Sequence, residues 1–449
     1  MNRVILCLLF ALSPLPAGSA SVEPETTSEW PAYAAAPGGG RFSTATQITA
    51  NNVGQLQQAW VYRSGQLRRA GEHQLVYPNG KKQPGLASSW QMTPLLVGNS
   101  LYGCTAFNDV FALDPASGEE RWRWRAGVDI SSEALVNCRG VASWQDNDAA
   151  PGDCSHRIFT ATMDSRLVAL DGASGEPCRD FGDNGSIDLT RGIGDHLSYE
   201  YASLSPPAIL GDRVIVGSMV LDRVHNDMPS GVVRAFDVRS GKLEWSWDPI
   251  PPGQEPMIEE DGQPRYHRGT TNVWSIISVD TERNLVFLPT GNTSTDFFGG
   301  LRNNMDYWSS SVVALNGATG EVVWHFQMVH HDIWDYDTPS QPTLFDFRRD
   351  GRTVPALAQP TKMGHLYLLN RETGEPLFAV EERPVPQDFA VPGEYLSPTQ
   401  PFPPRPPPLH PQKLDPEDAW GLTPWDRGAC RDLIASLRNE GIYTPPSLR

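Results

Sequence analysis

One pattern recurs five times along the chain, and it limits the fold more than any other feature. A short apolar run is followed by Asp or Asn, two variable residues, Ser or Thr, then Gly, with a large side chain four positions later. The copies are VFALDPASGEERW, LVALDGASGEPCR, VRAFDVRSGKLEW, VVALNGATGEVVW and LYLLNRETGEPLF, anchored at Asp114, Asp171, Asp237, Asn316 and Asn370 with spacings of 57, 66, 79 and 54 residues. The apolar run predicts a strand. The D-x-x-[ST]-G segment predicts a hairpin turn in which Asp or Asn bonds back to the chain and Gly takes positive φ. One such hairpin cannot bury its own face, whereas several stacked radially share a continuous core. Runs such as RVIVGSMVL (213–221) and NLVFLPTG (284–291) add further strands between copies, so each repeat holds roughly four strands, the content of a propeller blade. A β-sandwich whose hairpins share turn chemistry is the competing fold, and five matching copies weigh against it.

The second copy ends in Arg179 rather than an aromatic, and Phe181 is the nearest substitute. The stretch NNVGQLQQAWVYRSG (51–65) predicts an opening strand carrying Trp60. PFPPRPPPLHP (401–411) is a Pro-rich connection. Beyond it, Thr423-Pro424 marks a helix start, and Leu433, Ile434 and Leu437 continue the helical spacing toward Gly441.

Charge and cysteines narrow the function. A formal charge of −17 with no Lys/Arg cluster argues against a nucleic-acid partner. MNRVILCLLFALSPLPAGSA (1–20) has the layout of a signal peptide: Arg3, an apolar run from Val4 to Leu12, then small residues. No later run is apolar enough to span a bilayer, so the expectation is an exported chain without an integral membrane segment. Export places Cys104, Cys138, Cys154, Cys178 and Cys430 in an oxidising compartment, giving one or two disulfides and a spare thiol. Neither a CxxC zinc spacing nor a CxxCH haem site occurs.

The densest concentration of chemistry is VHHDIWDYDT (329–338), with two His, three Asp, a Trp and a Tyr in ten positions. A metal site is one reading, although adjacent His residues on extended chain diverge. A structural hydrogen-bond knot beneath the repeat is another.

Longer phrases carry a family resemblance. VHHDIWDYDTPSQPTLFDF, TKMGHLYLLNRETGEP, SPTQPF, RNEGIYTPPS, WPAYAAAPGGGRFS, CRGVASW and GVVRAFDVRSGKLEWSWDP resemble the glucose/quinate/polyol branch of the quinoprotein dehydrogenases, which use pyrroloquinoline quinone (PQQ). The resemblance runs from about Trp30 to Arg449. It implies an all-β, eight-bladed-type propeller with tryptophan-docking repeats, formed by residues 21–449. About six blades would be present and the last one or two missing.

The resemblance also implies a site. Asp332 would be the general base and would complete a Ca²⁺ (or Mg²⁺) shell with Asp222 and Asn292. Lys362 would hold the quinone oxygens and stabilise charge developing on them, Trp274 would form the floor under the quinone, and Arg139 would pair with cofactor carboxylates. Each residue has a plainer reading: a turn residue for Asn292, a solvated loop acid for Asp222, an exposed Lys beside a turn, a core Trp. The chain departs from the branch at Leu135, where glucose-oxidising members have His, at Leu204 in place of Thr, and at Arg223 in place of Asn after Asp222. These departures put glucose specificity in doubt. The function implied is a periplasmic dehydrogenase of a sugar, polyol or cyclic alcohol, passing electrons to an external quinone or cytochrome. A cofactor-free propeller scaffold and an inactive truncated dehydrogenase are the alternatives.

Overall fold

The computed structural model describes residues 29–448 except 77–79, 132, 149–151, 260–261 and 389. The signal-peptide expectation for residues 1–20 lies outside the described residues. Among the described residues, four antiparallel four-stranded sheets and one three-stranded sheet follow each other along the chain. The first contains Leu95–Val97, Ser100–Cys104, Val110–Leu113 and Glu120–Trp124. The second contains Ala142–Gln145, His156–Ala161, Arg166–Asp171 and Ser186–Asp188. The third contains Ala208–Leu210, Arg213–Val216, Val233–Asp237 and Leu243–Trp247. The fourth contains Ser278–Asp280, Leu285–Pro289, Ser311–Asn316 and Val322–Gln327. The fifth is made of Thr343–Arg349, Arg352–Pro360 and Leu366–Asn370. The first strand of each sheet touches the first strand of the next, so the sheets stand radially, as blades of a propeller. Five blade-type sheets are thus seen, against an expectation of about six.

The five turns have the predicted chemistry. In the first, the Asp114 carboxylate accepts the backbone N–H groups of Ala116 and Ser117, both at 2.9 Å, and Gly118 has φ +74°. Asp171, Asp237, Asn316 and Asn370 accept backbone N–H groups in the same way.

In the first, third and fourth copies, the Trp that closes the copy packs on the glycine of the next copy's turn. A Cβ at Gly175 would lie 2.5 Å from the Trp122 indole, and one at Gly320 would lie 2.7 Å from Trp245. The indole N–H then donates to the carbonyl one residue after the anchoring Asp or Asn: Trp122 to Gly172 (3.1 Å), Trp245 to Gly317 (3.0 Å), Trp324 to Arg371 (2.9 Å). Trp60 does the same on the first turn, donating to Pro115. The segment around it, however, is a short 3-10 helix, Val53–Gln55, followed by chain in no sheet, and not the expected strand.

Two disulfides, Cys104–Cys138 and Cys154–Cys178, leave Cys430 free and exposed. Trp30 to Arg41 forms a strap across the inner strands. Trp30 and Leu96 exchange backbone hydrogen bonds, Val279 donates to Pro37, and Leu344 donates to Gly38. Beneath it lies an apolar cavity of about 270 Å³, lined by residues including Tyr33, Pro37, Ile209 and Ile276 and by no acid, base or histidine. Helix α1, Pro424–Ser436, starts at the predicted Thr423 cap, whose hydroxyl accepts the Asp426 N–H, but it ends before Gly441 and buries none of its residues. No helix among the described residues is long and apolar enough to cross a membrane.

Candidate active site

Residues 329–338 leave the last strand of the fourth sheet, and their polar side chains part in different directions. His330 meets Gln327 and Glu382, while its backbone N–H and C=O are both held by the Gln400 amide. His331 takes φ +45° and turns inward, with Nδ1 at 2.7 Å from Asp306 and Nε2 at 3.0 Å from Glu394, against the Tyr395 ring. Burial works against it, but His331 and Arg302 hold the Asp306 carboxyl below its ordinary range. The paired histidines therefore clasp the long segment after residue 378 onto the blades and do not share a ligand.

Asp332 is wholly enclosed. Its carboxylate accepts the Ser310 hydroxyl (2.6 Å) and the backbone N–H groups of Trp334 (2.9 Å) and Tyr336 (2.8 Å), with no exposed surface. Burial raises its pKa in spite of these bonds. Trp334 and Tyr336 in turn donate to the carbonyls of Thr444 and Ile442, and Tyr443 packs edge-on to both rings.

Asp335 behaves differently. At φ +61° the chain turns, and the Asp335 side chain, 24 % exposed, faces Lys362 at 3.4 Å while its carbonyl accepts from the same ammonium at 2.6 Å. Asp337 is nearly buried. It accepts the Asn292 backbone N–H with one oxygen, and with the other the Trp274 indole N–H (3.2 Å) and the Lys362 ammonium (3.3 Å). Burial works against a charged Lys362, yet the Asp337 and Asp335 carboxylates hold its pKa above the usual value. Gly291 has to be small here: a Cβ would lie 3.1 Å from the Trp274 ring.

Asn292 donates through its amide to the carbonyls of Asp296 and Asp332. Asp222 lies close enough to feel this group. Burial, then the Asp296 and Asp335 charges, push its carboxyl up to about 7, with Arg223 and Lys362 pulling the other way. Arg139 lies over the Trp274 ring at 5.2 Å and donates to the Trp274 carbonyl, Ser205 and Gln91. Among the described residues it has no carboxylate partner, and burial lowers its pKa. The disulfide at Cys138 fixes the chain directly beside it.

The structure thus brings together Trp274, Lys362, Asn292, Asp222 and Arg139, with Asp332 joining only through its backbone carbonyl. Sequence reasoning passed over Asp335, Asp337 and Asp296. The W-D-Y-D alternation pointed to two further acids, but their directions depend on the left-handed residues His331 and Asp335. Leu135 and Leu204 belong to the same apolar cluster as Met219 and Trp274.

The family of the PQQ glucose/ethanol/alcohol dehydrogenase β-propeller domain matches residues 30–449. The chain belongs to that family. It is 38% identical to the quinate/shikimate dehydrogenase (quinone) of Acinetobacter baylyi over 93% of this chain and 52% of the relative. The glycerol dehydrogenase large subunit of Gluconobacter thailandicus is 37% identical over 94% and 55%, and the quinoprotein glucose dehydrogenase of Escherichia coli 37% over 95% and 52%. The chain spans about half the length of these curated relatives. In fold it is similar to the quinohemoprotein alcohol dehydrogenase of Comamonas testosteroni, with a TM-score of 0.61 at 23% identity over 84% of this chain and 52% of that one. A europium-containing methanol dehydrogenase gives a TM-score of 0.59 at 24% identity over 79% and 59%.

The residues present suit PQQ, a planar quinone with carboxylates. A half-buried guanidinium with no carboxylate partner among the described residues suits an anion, and Arg139 lies beside an indole able to stack on a ring. Asp222, Asn292 and Asp335 are hard oxygen donors of the kind Ca²⁺ takes, and burial, then the charges of Asp296 and Asp335, raise the Asp222 carboxyl.

Proposed function

We propose that this chain is the cofactor-bearing propeller of a dehydrogenase that oxidises a hydroxyl of a sugar, polyol or cyclic alcohol in the periplasm. The observation that carries the reading is Arg139. It is a half-buried cation without an acid among the described residues, laid over Trp274, which is tied through Asp337 to Lys362 and the acidic group. When bound, PQQ supplies the hydride acceptor and Ca²⁺ (or Mg²⁺) a Lewis acid.

The chain's own groups do the rest. Trp274 offers the stacking face and Arg139 the charge for carboxylates. Lys362, kept protonated by two acids, stabilises negative charge on nearby oxygens. Asp222, Asn292 and Asp335 provide metal oxygens. We assign proton removal from the substrate hydroxyl to Asp335 and not Asp332, because Asp332 has no exposed surface and its oxygens already accept three hydrogen bonds. Asp332 then sets the turn that presents Asp335. The external electron acceptor, a quinone or cytochrome, and the export of the chain belong to this proposal. The two disulfides suit an oxidising compartment.

Titrating the purified chain with PQQ and Ca²⁺, followed by tryptophan fluorescence and dye reduction, tests it. Saturable, calcium-dependent quenching should weaken roughly tenfold in Lys362→Ala, as expected for a lost charge-assisted contact. Asp335→Asn should keep quenching and lose dye reduction, while Asp332→Asn should chiefly lower the melting temperature. Turnover lost in Asp332→Asn at unchanged stability, but kept in Asp335→Asn, would return the base to Asp332. A folded, monodisperse chain that binds no PQQ would instead be a scaffold.

A further inference from the structure

The cavity beneath the strap takes no part in the chemistry above, and its walls are of two kinds. Most of the lining is hydrocarbon, with Pro37 from the strap, Pro206 and Ile209 from the third sheet and its approach, and Ile276 and Val279 from the fourth. Gln341 is the exception. It lines the cavity and is 4 % exposed, yet among the described residues its Oε1 has no hydrogen-bond partner. Ser143 also lines the cavity, but its hydroxyl is already held by His156 Nε2 at 2.8 Å.

The strap closes over this amide. Gly39 has φ +79°, and a Cβ there would lie 3.0 Å from the Gln341 carboxamide carbon, so only glycine lets the chain lie so near. Pro37 and Gly38 just before it are fixed by the backbone bonds from Val279 and Leu344. An amide shut away from water without a partner is unfavourable, and a molecule that brings it a hydrogen-bonding group relieves that. Water itself needs several polar partners to settle in a buried site, and hydrocarbon walls offer few. An apolar cavity of roughly 150 Å³ is enough for benzene, so about 270 Å³ has room for a ring with a short chain.

We infer that the cavity is a second ligand site, which takes a small, uncharged, apolar molecule bearing a single hydroxyl group, an alkylphenol being the simplest case. The hydroxyl meets Gln341 while the hydrocarbon lies against Pro206, Ile209 and Ile276. A half-turn of the amide presents either Oε1 or Nε2, and a hydroxyl, which both donates and accepts, suits either. A charged ligand is disfavoured, because no acid, base or histidine lines the cavity to meet it. The site is separate from the face offered to the quinone. Ser205 stands between them: its hydroxyl accepts from Arg139 and donates to the Trp274 carbonyl, while the next residue, Pro206, lines the cavity.

The test is calorimetric titration of the full chain with 4-propylphenol and with propylbenzene, which differs only in lacking the hydroxyl. A phenol has no hydrogen on the carbon that bears its hydroxyl, so it is no substrate for hydride removal. The phenol should bind about fivefold more tightly than the hydrocarbon, the worth of one net hydrogen bond. Gln341→Leu removes the amide at nearly constant volume. It should weaken the phenol about tenfold, leave the hydrocarbon as tight or tighter, and hold or raise the melting temperature, since the amide had no partner to lose. Ile209→Phe, which fills the cavity, should abolish binding of both. Saturating PQQ and Ca²⁺ should leave phenol binding unchanged.

Equal binding of the two compounds, binding of neither, or a phenol preference that survives Gln341→Leu would overturn the inference. A clear fall in melting temperature in Gln341→Leu would also overturn it, by showing the amide to be bonded within the protein. So would displacement of the phenol by PQQ, which would put the phenol on the Trp274 face. Phenol binding through Gln341 in a chain that shows no PQQ quenching would separate the outcomes: the cavity site would stand and the dehydrogenase reading would fall.

Discussion

Of the five repeat turns, four carry an indole on their glycine and the third does not. Where Trp245 meets Gly320, an aromatic face lies on a glycine and the indole N–H donates to Gly317. The seam between the second and third sheets has no such residue. Phe181, the expected substitute, is fully buried against Phe159 in the apolar cluster shared by the second and third sheets and does not lie on Gly241. Gly241 is met by the backbone of Gly182, whose N–H donates to Ser240 at 2.9 Å. Charged groups surround that contact. Arg157 donates to the Arg239 carbonyl and pairs with Asp180, and Arg239 bridges Asp146 (2.8 Å) and Asp212 (2.9 Å) over the Trp144 ring. Where the others have an indole on the glycine, this junction has an ion network at its rim, outside the apolar cluster that spans both sheets, and the two kinds of contact should respond differently to solvent.

The largest effect should come from breaking an indole seam. Trp245→Ala removes a buried aromatic and its hydrogen bond, and should cost about 3–5 kcal/mol in urea unfolding, with no dependence on salt. Arg239→Ala, at the ionic seam, should cost less, about 1–2 kcal/mol, because Arg239 is partly exposed and the pairs are screened. Its cost should shrink in 1 M salt, and a loss as large as that of Trp245→Ala would show the seams to be equivalent.

The smallest effect separates the turns by pH. Although burial opposes it, the Ser240 hydroxyl and backbone N–H hold the Asp237 carboxyl below its ordinary pKa, and hydrogen bonds from Ser117 and Arg121 hold Asp114 down to about 2. A carboxyl depressed on folding stabilises above its unfolded pKa, near 4, and that contribution is lost as pH falls through the lower folded value. Asn316 and Asn370 fill the same role without titrating. Asp237→Asn should therefore change stability little at pH 7, by about 0.5 kcal/mol or less, and reduce the loss between pH 4 and pH 2. An unchanged acid profile, measured by urea unfolding at pH 7 and pH 3, would place the acid sensitivity elsewhere.

The turns were legible in the sequence because their chemistry is local: Asp114 to Gly118 contains every partner the turn needs. Docking of each indole was not, since the pattern shows Trp122 but not that its seat is Gly175, more than fifty residues on. The site divides along the same line. Lys362, Trp274 and Asn292 were found through their phrases and come together through Asp337. Asp332, Asp335 and Asp337 look alike in sequence, yet one is enclosed, one meets the lysine and one ties the lysine to the indole. Backbone reversals at His331 and Asp335, imposed by the clasp to Asp306 and Glu394, sort them.

The strap from Trp30 to Arg41 bears on how the molecule reaches its native state. It precedes all five blade sheets in the chain, yet its hydrogen-bond partners include Val279 and Leu344. It has to wait, unsatisfied, until the fifth sheet exists, and contacts so distant in sequence slow folding because their loop entropy is lost before any contact is gained. In pulsed hydrogen exchange during refolding, the Leu344 amide should therefore become protected after the hairpin amides at Gly118 and Gly175. A segment that precedes all five sheets in the chain would then dock only after the fifth has formed.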